Sequence, residues 1–145
     1  MSSQPAVTFY VLPTDSRAEL LRMACRITDK AWKAGSSVLI LHQDPAELRQ
    51  LDELLWTQGG DLAFLPHEVE TDTALTGVPV VLKTATAPTR PVDVVINLRD
   101  EPPGALALTS RVVEIIDADP ARRDAGRARF KTYRDLGISP ETHKL

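Results

Sequence analysis

Residues 92–98 read Val92-Asp-Val-Val-Ile-Asn-Leu98. The apolar side chains of this run follow one another directly, without the alternation of apolar and polar residues that marks a strand with one face in water. Such a run is typical of a strand in the middle of a parallel sheet, where both faces are covered. It therefore predicts an α/β fold, provided that strands and helices alternate along the rest of the chain.

Four further apolar runs predict the other strands of the sheet. Each is short and rich in β-branched residues, leucine or aromatic residues. They cover residues 6–12, 37–41, 78–83 and 111–116. Together with residues 92–98 they predict a mostly parallel five-stranded sheet.

Three helices are predicted between or after these strands, because residues typical of helix ends flank each candidate segment. Ser16, Asp44 and Asp119 are suited to cap the helix starts. Gly35 and Gly137 are suited to end the first and the last helix. We therefore predict one domain over residues 1–145, a three-layer Rossmann-like α/β fold with helices flanking the sheet. Residues 84–91 are predicted to form a hairpin-like link between neighbouring strands.

Size and composition favour a single globular domain. The chain has 145 residues, one cysteine and three scattered histidines, so we expect no internal disulfide and no zinc site. No signal sequence and no run of about 18 apolar residues occur, and we expect a cytoplasmic protein that does not enter a membrane. The net charge of −3 argues against broad adhesion to nucleic acid.

Signatures of nucleotide binding are missing from the sequence. Dinucleotide binding needs glycines where the first strand meets the first helix, but that turn reads Pro13-Thr-Asp-Ser16. No G-x-x-x-x-G-K-[ST] motif occurs, so the usual cradle for phosphate is absent too. We expect no cofactor.

Candidate catalytic side chains also have ordinary explanations. Cys25 falls within an amphipathic helix, where a half-buried thiol is expected. His42 is expected to be a loop histidine without a partner. Asp93, Asp117 and Asp119 show no spacing that pairs them for acid–base chemistry. We therefore predict no catalytic residue and no metal site.

The last helix carries a local excess of positive charge. Between Ala121 and Arg134 there are six basic residues against one acidic residue, Asp124. At about 100° per residue, four of the cations and one aromatic ring fall within a stripe about 100° wide. This basic stripe consists of Arg123, Arg127, Phe130, Lys131 and Arg134. Cations around an aromatic ring suit a partner with carboxylates and an apolar anchor, such as a free peptide C-terminus.

The opposite side of this helix is predicted to pack on the sheet, because its side chains are mostly small. They are Ala121, Ala125, Ala128, Thr132 and Leu136. Two alternatives stay open for the basic stripe. One is a solvated charged face with Phe130 and Tyr133 folded onto a neighbouring loop, and the other is a site for single-stranded nucleic acid.

Two strands resemble part of a known enzyme. Residues 37–41 with the leucine-rich helix after them, and residues 92–98, look like the second RecA-like domain of superfamily 2 helicases. The ATP-contacting motif Q-x-x-G-R-x-G-R of such domains does not occur in the chain. A nucleotide-dependent enzyme or a degenerate helicase-like α/β domain is therefore the alternative to a binding protein.

Five short motifs, in order along nearly the whole chain, resemble the chi subunits of bacterial DNA polymerase III holoenzyme. Each motif alone is weakly specific, but their order and spacing together are fairly specific. They are Phe9-Tyr10-x-Leu12, Trp32-x-x-Gly35-x-x-Val38-x-Ile40, Asp52-Glu53-x-Leu55-Trp56, Phe64-x-Pro66-His67 and Arg127-x-Arg129-Phe130-Lys131-x-Tyr133-Arg134.

The resemblance implies a non-catalytic accessory protein of the clamp loader, with DNA contacted only indirectly. Its ligand would be the acidic C-terminal tail of single-stranded-DNA-binding protein, which ends in a phenylalanine with a free carboxylate. Carried over residue by residue, the tail site comprises Arg123, Arg127, Phe130 and Lys131, with Ile116 helping to line an apolar pocket. Well-studied members have lysine and tyrosine where this chain has Arg123 and Phe130, so a phenolic hydroxyl is absent here.

The resemblance also implies a second interface, for the psi subunit of the clamp loader or for a helicase. It maps to Trp56, Phe64, Pro66 and His67. Residues 57–77 are independently too long for a routine connection, and loops of that length are often functional.

Overall fold

The computed structural model describes residues 4–57, 67–70 and 80–145. Strands and helices alternate through most of this range, as predicted. In chain order the elements are β1 (Ala6–Val11), α1 (Arg17–Lys33), β2 (Val38–Leu41), α2 (Pro45–Thr57), β3 (His67–Glu70), β4 (Val80–Lys83), β5 (Val92–Asn97), β6 (Thr109–Ile116), α3 (Pro120–Asp135) and β7 (Glu141–Lys144).

The strands form one sheet with the order β3-β4-β2-β5-β6-β1-β7, and every neighbouring pair is parallel. The strand at residues 92–98, β5, lies at the centre between β2 and β6. Its residues from Val94 to Asn97 are all buried. The α/β class and the parallel central strand are thus confirmed.

The sheet is wider than predicted, since the described part of the chain contributes seven strands to it and not five. The two additional strands, β3 and β7, are the edge strands, and each has four residues. All four residues of β7 are exposed, so no buried apolar run marks it in the sequence. Its backbone pairs with β1, from Thr8–Glu141 to Val11–Lys144. Pairing at an edge depends on the neighbouring strand, which a short polar sequence does not reveal.

The predicted hairpin-like link at residues 84–91 is wrong. The strands that it joins, β4 and β5, are parallel to β2 and separated by it. Threonine and proline mark a turn, but they do not specify which strands the turn connects.

Two apolar clusters lie on the two faces of the sheet and give the three predicted layers. On one face α1 and α2 pack with Leu20, Ala24, Leu48 and Leu51 against the sheet. On the other face α3 packs Tyr133 among strand residues including Phe9. The last helix is therefore the main helical cover of its face.

The helix ends agree with the sequence signals. Ser16 caps α1 by accepting a hydrogen bond from the Glu19 backbone N–H, and Gly35 follows the helix with φ +85°. Asp119 caps α3 by accepting from the Arg122 N–H, and Gly137 follows that helix with φ +86°. Positive φ costs glycine little, so it allows the chain to turn sharply at both points.

Candidate functional site

Helix α3 lies close to β6 because it has a glycine at the point of contact. A Cβ placed on Gly126 would lie 2.5 Å from Cγ2 of Ile116. No other residue type fits there without moving Ile116 or the helix. Ile116, predicted to line the tail pocket, is therefore a half-buried support under the middle of α3.

A buried carboxylate on β6 anchors the helix further along. Glu114 is 0% exposed, and its Oε1 accepts a hydrogen bond from Nε of Arg129 at 2.9 Å. Its Oε2 accepts from the Tyr133 hydroxyl at 2.6 Å and from Nδ2 of Asn97 at 2.9 Å. Asn97 and Tyr133 are themselves 1% and 0% exposed. Every polar partner in this network is therefore withdrawn from water.

The network shifts the pKa values of its acidic members. Burial raises the pKa of Glu114, against the lowering effects of the Arg129 charge and of the hydrogen bonds from Tyr133 and Asn97. Burial and the neighbouring Glu114 raise the pKa of Tyr133. The tyrosine therefore keeps its proton and donates a hydrogen bond to the carboxylate.

The face of α3 that packs on the sheet is not the predicted one. Its buried residues are Gly126, Arg129 and Tyr133, whereas Leu136 at the helix end is 49% exposed. The small residues Ala121, Ala128 and Thr132 are also exposed, and Ala125 is half-buried. The prediction was wrong because a buried arginine and a glycine do not read as a packing face, although Arg129 has a buried carboxylate to meet.

The structure divides the six basic residues of α3 into two sets. Arg122 pairs with the buried carboxylate of Asp117 at 2.7 Å, and Arg129 pairs with Glu114. The other four are the cations of the basic stripe. Of these, Arg127, Lys131 and Arg134 are exposed and Arg123 is half-buried. Fewer cations are thus available to a partner than the six basic residues of the sequence suggest.

Four members of the basic stripe surround one open depression. It has a volume of about 480 Å³ and is lined by Arg127, Phe130, Lys131, Arg134 and Asp135. Nη1 of Arg127 lies 3.5 Å from the carboxylate of Asp124, and both side chains are more than 70% exposed. An exposed pair of this kind is worth little and can be exchanged for another anion.

Phe130 lies at the border between the basic stripe and the packing face. Its ring is half-buried and lies 5.3 Å from the ring of Phe9, centroid to centroid. The same residue also lines the depression. The prediction that Phe130 points with the arginines and the alternative that it packs on its own fold each describe one side of the ring.

Two predicted members of the site lie beside the depression and not in its lining. Arg123 is one helical turn before Arg127, and Ile116 lies beneath Gly126. The structure therefore brings Arg127, Phe130, Lys131 and Arg134 together, with the other two adjacent.

The crevice at the carboxyl ends of the strands, where many α/β proteins bind ligands, is small in this chain. Its volume is about 50 Å³, well below the several hundred Å³ of typical ligand sites. Its lining includes Arg17, Arg99, Arg122 and Arg129. Each of these arginines already bonds a carboxylate or a backbone carbonyl.

His42, at the edge of this crevice, is not the unpartnered loop histidine that was expected. It is 3% exposed, and its Nδ1 accepts from the Asp44 backbone N–H at 2.9 Å. Its Nε2 lies 2.6 Å from Oε1 of Glu47, which also pairs with Arg17. The proton is therefore on Nε2, which donates to Glu47, and the histidine joins β2 to α2.

The remaining candidate catalytic side chains have structural roles. Cys25 is 0% exposed, more buried than expected, and burial raises its pKa to about 12. Asp93 accepts from the backbone N–H and hydroxyl of Ser37, Asp117 pairs with Arg122, and Asp119 caps α3. Within the described ranges, no group of three or more His, Cys, Asp or Glu side chains could hold a metal ion.

The predicted second interface lies outside the described residues. Phe64 and Pro66 fall in a range that is not described, and only the backbone is described at Trp56 and His67. Separately, no helix within residues 4–57 or 80–145 is long and apolar enough to cross a membrane.

Sequence reasoning missed the buried network, although one signal for it was present. Glu114 is a lone acid inside the apolar run Val112-Val-Glu-Ile-Ile116. A charge in a buried strand requires a partner, and Arg129 and Tyr133 are four residues apart on the next helix, on one face. The spacing and the acid together could have identified the packing face.

Comparisons with known proteins give one consistent family. A family model described as "DNA polymerase III chi subunit, HolC" matches residues 5–141. A relative from Pseudomonas aeruginosa named DNA polymerase III subunit chi is 37% identical over 139 residues, which cover 96% of each chain. Relatives of the same name from Escherichia coli and Haemophilus influenzae are 28% and 24% identical, over 93% and 94% of this chain and 95% of each relative. The resemblance seen in the five sequence motifs is thereby confirmed, and the chain belongs to the DNA polymerase III chi subunit family.

Proposed function

We propose that this protein is a non-catalytic accessory subunit of the bacterial replicative DNA polymerase. It would link the clamp loader to single-stranded-DNA-binding protein by binding the acidic C-terminal tail of that protein. The proposed tail site is the basic stripe with Ile116 beneath it. The observation that carries the proposal is the open depression in which an aromatic edge lies among three exposed cations of α3.

The chemistry of the depression matches such a tail. The side of Phe130 that does not contact Phe9 offers an apolar surface for the terminal ring of a peptide. Arg127, Lys131 and Arg134 offer charged donors for its carboxylates. Charge would steer the encounter, and the desolvated ring would supply much of the affinity.

The overall charge of the protein favours a peptide over nucleic acid. A net charge of −3 repels phosphate at long range, whereas the basic stripe is one short surface. DNA would therefore be contacted indirectly, through the bound partner.

Replacing Arg127 by alanine tests this site. In fluorescence anisotropy with an acidic peptide that ends in a free phenylalanine, Arg127→Ala should weaken binding by about 1.5–3 kcal/mol, because a charged hydrogen bond is lost. The matched control is Arg26→Ala, which removes the same charge from an exposed position of α1, on the other face of the sheet. Equal losses from both variants would show that only net charge matters and would contradict a site on α3.

A second interface for a psi subunit or a helicase remains part of the proposal, at Trp56, Phe64, Pro66 and His67. The family resemblance is its support. A pull-down from cell extract should lose this partner with Trp56→Ala but not with Arg127→Ala. We place the protein in the cytoplasm, where the replication machinery of bacteria operates.

A further inference from the structure

We propose that the hydrogen-bond network of Glu114, Arg129 and Tyr133 fixes the rotation of α3 and thereby sets the affinity of the basic stripe for an acidic peptide. These three are positioning residues, since none of them lines the depression. The inference rests on the proposed tail-binding function and adds to it the device that orients the site.

The geometry couples the network to the stripe through the helix itself. Arg129 and Tyr133 are four residues apart, so they project within about 40° of each other toward β6. Both bond the same carboxylate, one to each oxygen. Phe130 follows Arg129 directly and is therefore turned about 100° from it, toward the depression. Once Glu114 holds Arg129 and Tyr133, the direction in which Phe130 projects is determined.

Rotation of α3 away from this position is opposed at one further point. Nη1 of Arg129 reaches past the carboxylate to the backbone carbonyl of Asp100, at 3.2 Å. Asp100 is tied to the turn after β2, because its N–H donates to Gln43 and its carboxylate accepts from Gln43. The arginine thus connects α3 both to the strand below it and to the loop beside it.

The aromatic contacts continue the same constraint toward the site. The ring of Phe9 lies 6.0 Å from Tyr133 and 5.3 Å from Phe130, centroid to centroid. Phe9 is 1% exposed and therefore forms a fixed floor for both rings. If Tyr133 loses its hydrogen bond, its ring is freer to shift against Phe9. Phe130 packs on the same Phe9 ring and is then held less firmly.

A role in positioning is distinct from a role in stability. A buried ionic network is often no more stabilising than well-packed apolar residues, and breaking it leaves an uncompensated group. What the network provides in addition is direction, since hydrogen bonds to the two oxygens of one carboxylate depend on angle more strongly than apolar contacts do. This difference can be measured.

The test compares Tyr133→Phe, which removes one donor and keeps the ring, with Leu51→Val as the control. Leu51 belongs to α2, on the face of the sheet opposite α3, and is 0% exposed. Its truncation lowers stability without touching α3. Urea unfolding would establish that the two variants lose comparable unfolding free energy. The probe is the acidic peptide that ends in free phenylalanine, with the whole protein. A second readout is the NMR ring-to-ring contact between Phe9 and Phe130 in the free proteins.

We expect the dissociation constant of Tyr133→Phe to rise about five- to tenfold, because the competent orientation of α3 becomes less populated. That of Leu51→Val should change by less than about twofold, and only Tyr133→Phe should weaken the Phe9–Phe130 contact. Unchanged affinity in Tyr133→Phe, or equal losses in both variants, would overturn the inference. Failure of the wild-type protein to bind would contradict the tail-binding function. The positioning role can still be tested in that case, because the Phe9–Phe130 contact is measured without peptide. If Tyr133→Phe left this contact unchanged, the positioning role would be overturned.

Discussion

At the scale of single residues, the position of Phe130 shows how strongly the exposure of a side chain on α3 depends on its angle around the helix. On the helix it lies between the buried residues Arg129 and Tyr133 and the exposed cations Arg127 and Lys131. A shift of one residue in the sequence would bury this ring completely or expose it completely. Its position between the two sides leaves the ring half-buried and packed on Phe9. Such a ring is suited to contact the aromatic ring of a ligand.

The sequence predicted which cations of α3 lie together on one side of the helix but not the depth at which each basic residue lies. Periodicity correctly grouped Arg127, Phe130, Lys131 and Arg134, because helical angles follow from spacing alone. It could not reveal that Arg129 is 5% exposed, because burial of an arginine depends on a carboxylate that the fold brings to it. This arginine, together with Gly126, accounts for the error on the packing face.

The ion pair of Glu47 leads to a prediction on acid stability. Burial alone would raise the pKa of Glu47, but the hydrogen bonds from Arg17 and His42 and the charge of Arg17 lower it below its usual value. Because the pKa is lower in the folded state, the carboxylate stabilises the fold above its ordinary pKa of about 4.3, and this contribution is lost as the pH falls further. Glu47→Gln should therefore be less stable than wild type at pH 7, and the difference should shrink in acid.

Urea unfolding of both proteins at several pH values between 7 and about 3 checks this expectation. The control is Glu101→Gln, since the Glu101 side chain is 82% exposed and 4.0 Å from its nearest cation. A stability gap between wild type and Glu47→Gln that does not vary with pH would contradict the assigned ion pair.

At the scale of elements, buried strands and capped helices were predictable, and edge strands were not. Runs such as Val92–Leu98 specify a central strand by their own composition. The short polar strand Glu141–Lys144 is held by the backbone of β1, and its sequence carries no comparable signal. Local propensity therefore gives the centre of the sheet, while neighbours decide its width.

The close contact of α3 with β6 predicts an unusual effect of Gly126→Ala. Alanine is favoured over glycine in a helix by about 1 kcal/mol, so the substitution would normally stabilise. Here the new Cβ would lie 2.5 Å from Cγ2 of Ile116, a β-branched side chain whose methyl cannot move without its strand. We expect a net loss of about 1–2 kcal/mol in unfolding free energy, because overpacking exceeds the gain in propensity.

A double-mutant cycle separates these two effects. In an Ile116→Ala background the obstructing methyl is gone, and Gly126→Ala should become stabilising by about 0.5–1 kcal/mol. Urea denaturation of the four proteins measures the coupling. Destabilisation of the same size in both backgrounds would show that the glycine is required for another reason.

At the scale of the whole molecule, parallel α/β sheets often bind nucleotides, but the described residues of this sheet lack two features that such proteins use. The turn after β1 has no glycine, and the carboxyl-end crevice holds about 50 Å³. Its arginines are bound to carboxylates and carbonyls of the protein itself. The described residues therefore give no support to the nucleotide-dependent alternative suggested by the RecA-like strands.

Thermal denaturation with nucleotides tests the remaining enzyme alternative. A ligand at about 100 times its dissociation constant should stabilise the folded protein by about 2.7 kcal/mol. We expect no change in melting temperature with millimolar ATP or NAD. A clear rise with either nucleotide would favour a nucleotide-dependent protein and would count against a purely binding role.

The charge distribution completes the account at this scale. The protein is acidic overall, yet α3 presents exposed cations around an aromatic edge. We expect such an arrangement to select a ligand that is small, acidic and apolar at one end over a long polyanion. Its affinity for that ligand should fall as salt rises, because the cations are exposed to solvent.

The most direct test of the central claim compares two peptides of the same acidic sequence ending in phenylalanine, one with a free C-terminal carboxylate and one amidated. Titrated against the wild-type protein, the free acid should bind with micromolar-scale affinity, and the amide should bind at least about tenfold more weakly, because the terminal charged hydrogen bonds are lost. Equal binding of the two peptides would contradict capture of a terminal carboxylate by the basic stripe.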